Sequence, residues 1–153
     1  MSMLELKIPP PLVAVLAGIA MWFAARVGPS VQLPLSVRIA AFVIIALVGG
    51  ATAAAGDLAF RRVKTTINPL RPEKATALVT SGIYRFTRNP MYLGLALVLL
   101  GWAAFLGSLL ALAGPIAFVL YIDRFQIAPE ERVLLAKFGS AYAQYKARVR
   151  RWL

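Results

Sequence analysis

The longest uncharged run in the sequence, from Met91 to Ile122, restricts the possible folds more than any other feature. It is roughly 30 residues long, whereas one helix needs only about 20 apolar residues to cross a bilayer. Gly107 and Ser108 lie near its middle, where two limbs could turn back on each other. We therefore predict a membrane-embedded helical hairpin with its tip at these residues; one long tilted helix is the alternative.

Two further runs and the overall composition also indicate a membrane protein. Hydrophobic residues make up 60% of the 153 residues, against roughly 45–50% in soluble domains. The runs Leu12–Ala25 and Ile39–Gly56 carry no charge, and with its flanks each is long enough to cross a bilayer. We interpret the first as a retained helix rather than a signal peptide, because the sequence FAARV is a poor cleavage site.

These runs define the predicted fold class, an all-α integral membrane protein in which residues 1–153 form a single membrane-embedded domain. We expect about four transmembrane helices, including a C-terminal helical hairpin, followed by cytoplasmic amphipathic C-terminal helices. The predicted transmembrane helices span about residues 10–26, 36–56, 91–106 and 108–123, and the predicted cytoplasmic segments span 57–90 and 124–153.

Charge is distributed unevenly along the chain. There are 17 basic and 6 acidic residues, a net charge of +11, and the basic residues concentrate in segments 57–90 and 124–153. Because the cytoplasmic loops of membrane proteins are enriched in Lys and Arg, we expect both segments, both termini and the active site to face the cytoplasm, in an inner or plasma membrane. Nucleic acid is not an expected partner, since no basic helix carries interleaved exposed aromatic residues for base stacking.

The sequence contains no cysteine and no histidine. Disulfides, thiol nucleophiles, Cys/His metal sites and Ser-His triads are therefore all excluded, and we predict no metal site. Any chemistry must come from Arg, Glu, Asp, Tyr and Asn side chains or from backbone groups.

The second polar segment carries helix signals at its start. Pro129 suits a first helical turn, and Glu130 and Glu131 complement the positive end of the helix dipole. Gly139 is expected to break this helix, and the sequence beyond it is typical of a basic amphipathic helix.

The predicted hairpin brings polar residues from its two ends to the same membrane surface. Arg88, Asn89 and Tyr92 precede or begin the first limb, and Glu130 and Glu131 follow the second. A pocket there would have apolar helical walls and a polar rim, open to one ligand from the cytosol and one from the bilayer. Each residue also has a simpler interpretation, as an interfacial cation, an aromatic-belt residue or a helix-dipole partner.

Two ordered sets of motifs resemble those of a known family. The first is LVTSGIYRFTRNPMYLG, from Leu78 to Gly94, and the second is EERVLLAKFGSAYAQYKARVRRWL, from Glu130 to Leu153. Their order and spacing resemble the isoprenylcysteine carboxyl methyltransferase family, which is related to the membrane phospholipid N-methyltransferases. The resemblance covers roughly residues 65–153, and the first two helices match only in kind.

The resemblance implies methyl transfer from S-adenosylmethionine, with S-adenosylhomocysteine as the product, inside a membrane-embedded helical domain. Carried over by position, it implies catalytic roles for Arg88 and Glu130. The implied cofactor-binding residues are Tyr84, Arg88, Asn89, Tyr92, Leu93, Gly94, Glu130, Glu131, Tyr142 and Tyr145. Asn89 stands where the family usually has histidine; an amide can hold a ligand but cannot act as a titrating base.

The implied acceptor is lipophilic or lipid-anchored. A prenylcysteine carboxylate, a phospholipid amine and a small isoprenoid or thiol all fit, and the sequence does not select methylation on O, N or S. Two other functions fit the composition. One is a non-enzymatic membrane protein whose basic tail docks lipid or a partner helix. The other is a nicotinamide-dependent membrane reductase of similar architecture.

Overall fold

The computed structural model describes residues 5–63 and 72–153, so residues 64–71 of the predicted cytoplasmic segment lie outside the described residues. The described chain is helical and contains no strand, apart from one isolated bridge between Ser30 and Ser108. This confirms the all-α fold class. The α-helices are α1 Pro10–Val27, α2 Leu35–Val63, α3 Pro90–Leu106, α4 Ala113–Ile122 and α5 Ala128–Arg148. Short 3-10 helices cover Pro72–Lys74, Gly82–Arg85 and Leu109–Leu112, and a π-helix covers Asp123–Ile127.

Three helical stretches are long and apolar enough to cross a membrane. They are α1, α2 and the run Leu109–Arg148. In this last run the π-helix connects α4 to α5. Helix α3 is also apolar but has only 17 residues. The predicted fourth limb, 108–123, corresponds to the 3-10 helix Leu109–Leu112 and α4, and the helical run continues beyond it to Arg148.

Helix α2 is longer than the sequence pattern indicates. The predicted span ended at residue 56, but the helix continues to Val63. An ion pair one turn apart, between Arg61 Nε and Asp57 Oδ2 at 2.6 Å, lies on this extension. Residues 57–63, predicted as part of a cytoplasmic segment, thus continue the second helix.

The hairpin tip lies where the sequence predicts it. Gly107 ends α3 in the left-handed conformation, with φ of 60°, and its N–H donates to the carbonyl of Ala103. Glycine adopts this conformation without steric cost. Arg38 closes the same end of the bundle, because its Nε donates to the carbonyl of Phe105 at 2.6 Å.

Helices α2 and α3 form the closest helix pair, through small residues. A Cβ added to Gly94 would lie 2.5 Å from the carbonyl oxygen of Gly49 and 2.7 Å from the Cβ of Ala53. Gly101, two turns along the same face of α3, lies against Phe42 in the same way. Small residues allow this close backbone approach between membrane helices.

Helix α5 is kinked where the sequence predicts a break. Gly139 has φ of 53° and ψ of −126°, which are not helical values. The second half of α5 therefore changes direction and packs Tyr142 and Tyr145 against Val79 and Tyr84 of the segment before α3. This small aromatic cluster positions one wall of a cavity.

Candidate active site

A cavity of about 380 Å³ lies at the end of the bundle where α3 and α5 begin. Its walls come from the start of α1, the segment that precedes α3, the first turns of α3, and both halves of α5. Eight of the ten residues predicted from the sequence to bind a cofactor line it, which are Tyr84, Arg88, Asn89, Tyr92, Glu130, Glu131, Tyr142 and Tyr145. The volume falls within the range of about 300–1,000 Å³ that small-molecule sites occupy.

Arg88 contributes a buried cation with unused donors. Its side chain is only 9% exposed, and its Nη1 lies 2.9 Å from Oε1 of Glu131. Within the described residues, however, neither Nη1 nor Nε makes a hydrogen bond of suitable geometry. Since buried polar groups are nearly always hydrogen-bonded, these donors at the cavity wall are available to a ligand.

Glu131 is surrounded by positive charge. Besides Arg88, two further cations contact its carboxylate. Arg151 donates hydrogen bonds to it from Nε at 3.1 Å and from Nη2 at 2.9 Å, and Lys146 Nζ lies 2.9 Å from Oε2. The hydrogen bonds between Arg151 and Glu131 raise the pKa of the Arg151 guanidinium. Glu131 thus faces three cations, one of which, Arg151, also lies 3.5 Å from Asp123.

Glu130 is placed differently from its neighbour. Its Oε2 accepts a hydrogen bond from the Tyr92 hydroxyl at 3.1 Å, and the Gln126 side chain also hydrogen-bonds that hydroxyl. No ion pair with Glu130 occurs in the part of the chain that the structure describes. A half-buried carboxylate without a cation, at the wall of an apolar cavity, can accept a proton.

Asn89 is held by the segment that follows α5. Its Nδ2 donates to the carbonyl of Arg151 at 2.9 Å, and its backbone N–H donates to the Thr87 hydroxyl at 3.2 Å. The residue immediately precedes Pro90, the first residue of α3. Its side-chain amide therefore fixes the entry of α3 as well as lining the cavity.

Tyrosine residues also line the cavity. The Tyr145 hydroxyl donates to the backbone carbonyl of Tyr84 at 2.8 Å, and the Tyr142 and Tyr145 rings lie 6.3 Å apart. Burial, with a smaller contribution from the charge of Glu130, raises the pKa of the Tyr84 phenol well above its usual value. Tyr84 is therefore neutral at physiological pH and can offer an oxygen or a hydroxyl hydrogen.

Two predicted residues lie elsewhere. Leu93 and Gly94 are not among the residues that line the cavity. Gly94 instead faces Gly49 and Ala53 in the α2–α3 contact. A direct contact of either residue with a cofactor stays a prediction, whereas the packing of Gly94 is evident.

The structure adds residues that the sequence analysis did not single out. Apolar side chains of Pro9, Val79 and Leu134 line the cavity, and Arg151 and Lys146 bind Glu131. The basic tail indicated cations near this surface but not which of them pair. Among the described residues, no group of three or more acidic side chains is placed to hold a metal ion.

The fold and the cavity together define a helical membrane protein with a polar site at one end of its bundle. The family model for phospholipid methyltransferases matches residues 37–141, which is more than half of the chain. The chain therefore belongs to the phospholipid methyltransferase family, a membrane methyltransferase family. The predicted family resemblance is confirmed.

Two known proteins are similar to parts of this chain. An uncharacterised protein of Haemophilus influenzae is 56% identical over 63 residues, which cover 41% of this chain and 100% of that protein. The protein-S-isoprenylcysteine O-methyltransferase of Schizosaccharomyces pombe is 36% identical over 75 residues, 47% of this chain. That match covers 30% of the yeast enzyme, so the chain resembles less than a third of it.

Proposed function

We propose that this protein is an S-adenosylmethionine-dependent integral membrane methyltransferase that acts on a lipophilic or lipid-anchored acceptor. The observation that carries the proposal is that one cavity is lined by both Arg88, a buried arginine with free donors, and Glu130, a carboxylate without an ion pair among the described residues. Family membership supports the same reaction class.

The residues present fit the cofactor. The free donors of Arg88 suit a carboxylate, because hydrogen bonds from a guanidinium to a carboxylate are charge-assisted. Tyrosine oxygens and the Glu130 carboxylate can face a positively charged sulfonium. The apolar walls, formed by residues such as Val79 and Leu134, exclude water from the reacting atoms.

The chemistry requires alignment more than a reactive side chain. S-adenosylmethionine supplies a methyl group on a sulfonium, and its C–S bond breaks as the bond to the acceptor atom forms. Cavity walls that hold both ligands in line can supply several kcal/mol of the barrier, up to roughly 7–11 kcal/mol in well-oriented systems. When the acceptor is an amine that carries hydrogen, the released proton needs a base, and Glu130 is the carboxylate placed to take it.

The cavity surroundings support a lipophilic acceptor. The start of α1, at Pro9, Pro10 and Pro11, and the apolar Leu95 of α3 lie on its walls. A chain of hydrocarbon can therefore extend from the cavity along the helices while the reacting group stays near Glu130. The cytoplasmic orientation of this end is part of the proposal, supported by the basic residues of segments 57–90 and 124–153.

Titration of the detergent-solubilised protein with S-adenosylhomocysteine tests the proposal. We expect saturable binding by calorimetry, and much weaker binding of NADPH. Circular dichroism must first show that the preparation is helical. Absence of S-adenosylhomocysteine binding in such a preparation overturns the proposal, and preferential binding of NADPH favours a reductase.

A further inference from the structure

The segment that follows α5 lies against the start of α3. Helix α5 ends at Arg148, and Val149 is extended, with φ of −118° and ψ of 131°. We call residues 149–152 the strap. Its backbone accepts three hydrogen bonds from the polar motif before α3, because the Arg150 carbonyl receives the Arg88 N–H at 3.0 Å and the Arg151 carbonyl receives the side chains of Asn89 and Thr87.

The side chains of the strap attach it to the other limb of the hairpin. Trp152 Nε1 donates to Oδ1 of Asp123 at 3.1 Å, and Arg151 Nη1 lies 3.5 Å from the same oxygen. Asp123 begins the π-helix between α4 and α5. The strap therefore joins the two ends of the hairpin beside the cavity.

Arg151 and Arg88 share one carboxylate unequally. Arg151 hydrogen-bonds both oxygens of Glu131, whereas Arg88 approaches Oε1 within 2.9 Å without forming a hydrogen bond. A bidentate arginine contact is stronger and more directional than a single ion pair. Arg151 therefore occupies the positions on Glu131 that Arg88 would otherwise take.

We infer that Arg151 is a positioning residue: by occupying Glu131 it keeps the donors of Arg88 free for the anionic group of the ligand. The inference rests on the proposed function, in which Arg88 binds the carboxylate of the cofactor. Without Arg151, the Arg88 guanidinium would close onto Glu131, and the ligand would have to break that pair.

The test compares the affinity for S-adenosylhomocysteine of four proteins in detergent: wild type, Arg151→Gln, Arg151→Lys and Arg148→Gln. The last is the matched control, because it removes the same charge three residues away at an exposed side chain that donates to the Gln144 carbonyl of its own helix. We expect Arg151→Gln to weaken binding about tenfold, Arg151→Lys to lie between, and Arg148→Gln to stay within about twofold of wild type.

A double variant separates positioning from a general structural effect. In the Arg88→Gln background, Arg151→Gln should cause no further loss, since residues that act through each other are not additive. Additive losses, or an Arg151→Gln affinity equal to that of wild type, overturn the inference while leaving the proposed function intact. If wild type binds no S-adenosylhomocysteine, both fail together.

The lysine variant carries the test if Arg151→Gln does not fold. Lysine keeps the charge but cannot hydrogen-bond both oxygens of Glu131 in the way a guanidinium does. A measurable loss of affinity at unchanged melting temperature supports the inference, and wild-type affinity overturns it.

Discussion

The hydroxyl of Tyr92 donates a hydrogen bond to Glu130 across 3.1 Å, although 38 positions separate the two residues in the chain. Tyr92 lies in the first turn of α3 and Glu130 in the first turn of α5. The contact joins the two ends of the helical hairpin at the candidate active site. It orients Glu130, a carboxylate that forms no ion pair with any of the residues that the structure describes.

Replacing Tyr92 with phenylalanine should lower methyl transfer about tenfold or more while the protein stays helical. Glu130 loses its hydroxyl donor and its fixed orientation, and an unsatisfied buried group costs roughly 1–3 kcal/mol. Transfer of labelled methyl from S-adenosylmethionine to a total lipid extract measures the effect. Tyr121→Phe is the matched control, because the buried Tyr121 hydroxyl has no hydrogen-bond partner among the described residues and Tyr121 does not line the cavity. Equal losses in both variants would contradict the role of Tyr92.

Replacing Glu130 with glutamine should reduce transfer to an amine acceptor by about 10²–10⁴-fold, the usual contribution of a general base. The amide can still accept the Tyr92 hydrogen bond, so binding of S-adenosylhomocysteine should change little. The same assay with a phospholipid amine and with a farnesylated cysteine carboxylate separates the roles, because a carboxylate acceptor needs no base. Glu73→Gln, at an exposed position, is the control, and full activity of Glu130→Gln on the amine would remove Glu130 from the mechanism.

Replacing Arg88 with alanine should weaken S-adenosylhomocysteine binding by about ten- to a hundredfold, since hydrogen bonds to charged groups are worth roughly 1.5–3 kcal/mol. The variant also leaves Glu131 with two cations instead of three, so the helical structure should persist. Calorimetry measures the affinity. Arg85→Ala removes the same charge three residues earlier at an exposed position, and the assignment fails if both variants bind alike.

Replacing Gly94 with alanine should lower the melting temperature, by an amount that corresponds to about 1–3 kcal/mol. The new methyl group would meet the Gly49 carbonyl and Ala53 at 2.5–2.7 Å. Gly50→Ala is the matched control on α2, because nothing lies within 4 Å of its Cβ position; there alanine should be neutral or stabilise by about 0.5–1 kcal/mol. Thermal unfolding in detergent compares the two, and equal stability would contradict the close α2–α3 contact.

Most local features of the fold were predictable from the sequence. The uncharged run with Gly107 at its middle predicted the hairpin, and Gly139 predicted the kink of α5, because these features depend on residues close together in the chain. Helix α2 continues seven residues past the predicted span, since polar residues such as Asp57 and Arg61 satisfy each other on a continuing helix. Polarity alone does not distinguish such an extension from a loop.

The membrane-embedded helical fold and the residue types available for chemistry could be read from the amino-acid sequence, because they depend on the lengths of hydrophobic runs and on the absence of cysteine and histidine. The pairing of the charges could not, because it depends on the three-dimensional arrangement of the helices. Arg88, Lys146 and Arg151 are all plausible partners for Glu131 in the sequence, yet Arg151 makes the bidentate contact and Arg88 keeps free donors. That choice depends on where the kink at Gly139 directs the end of α5, and geometry of this kind over long sequence separations is not encoded in local spacing.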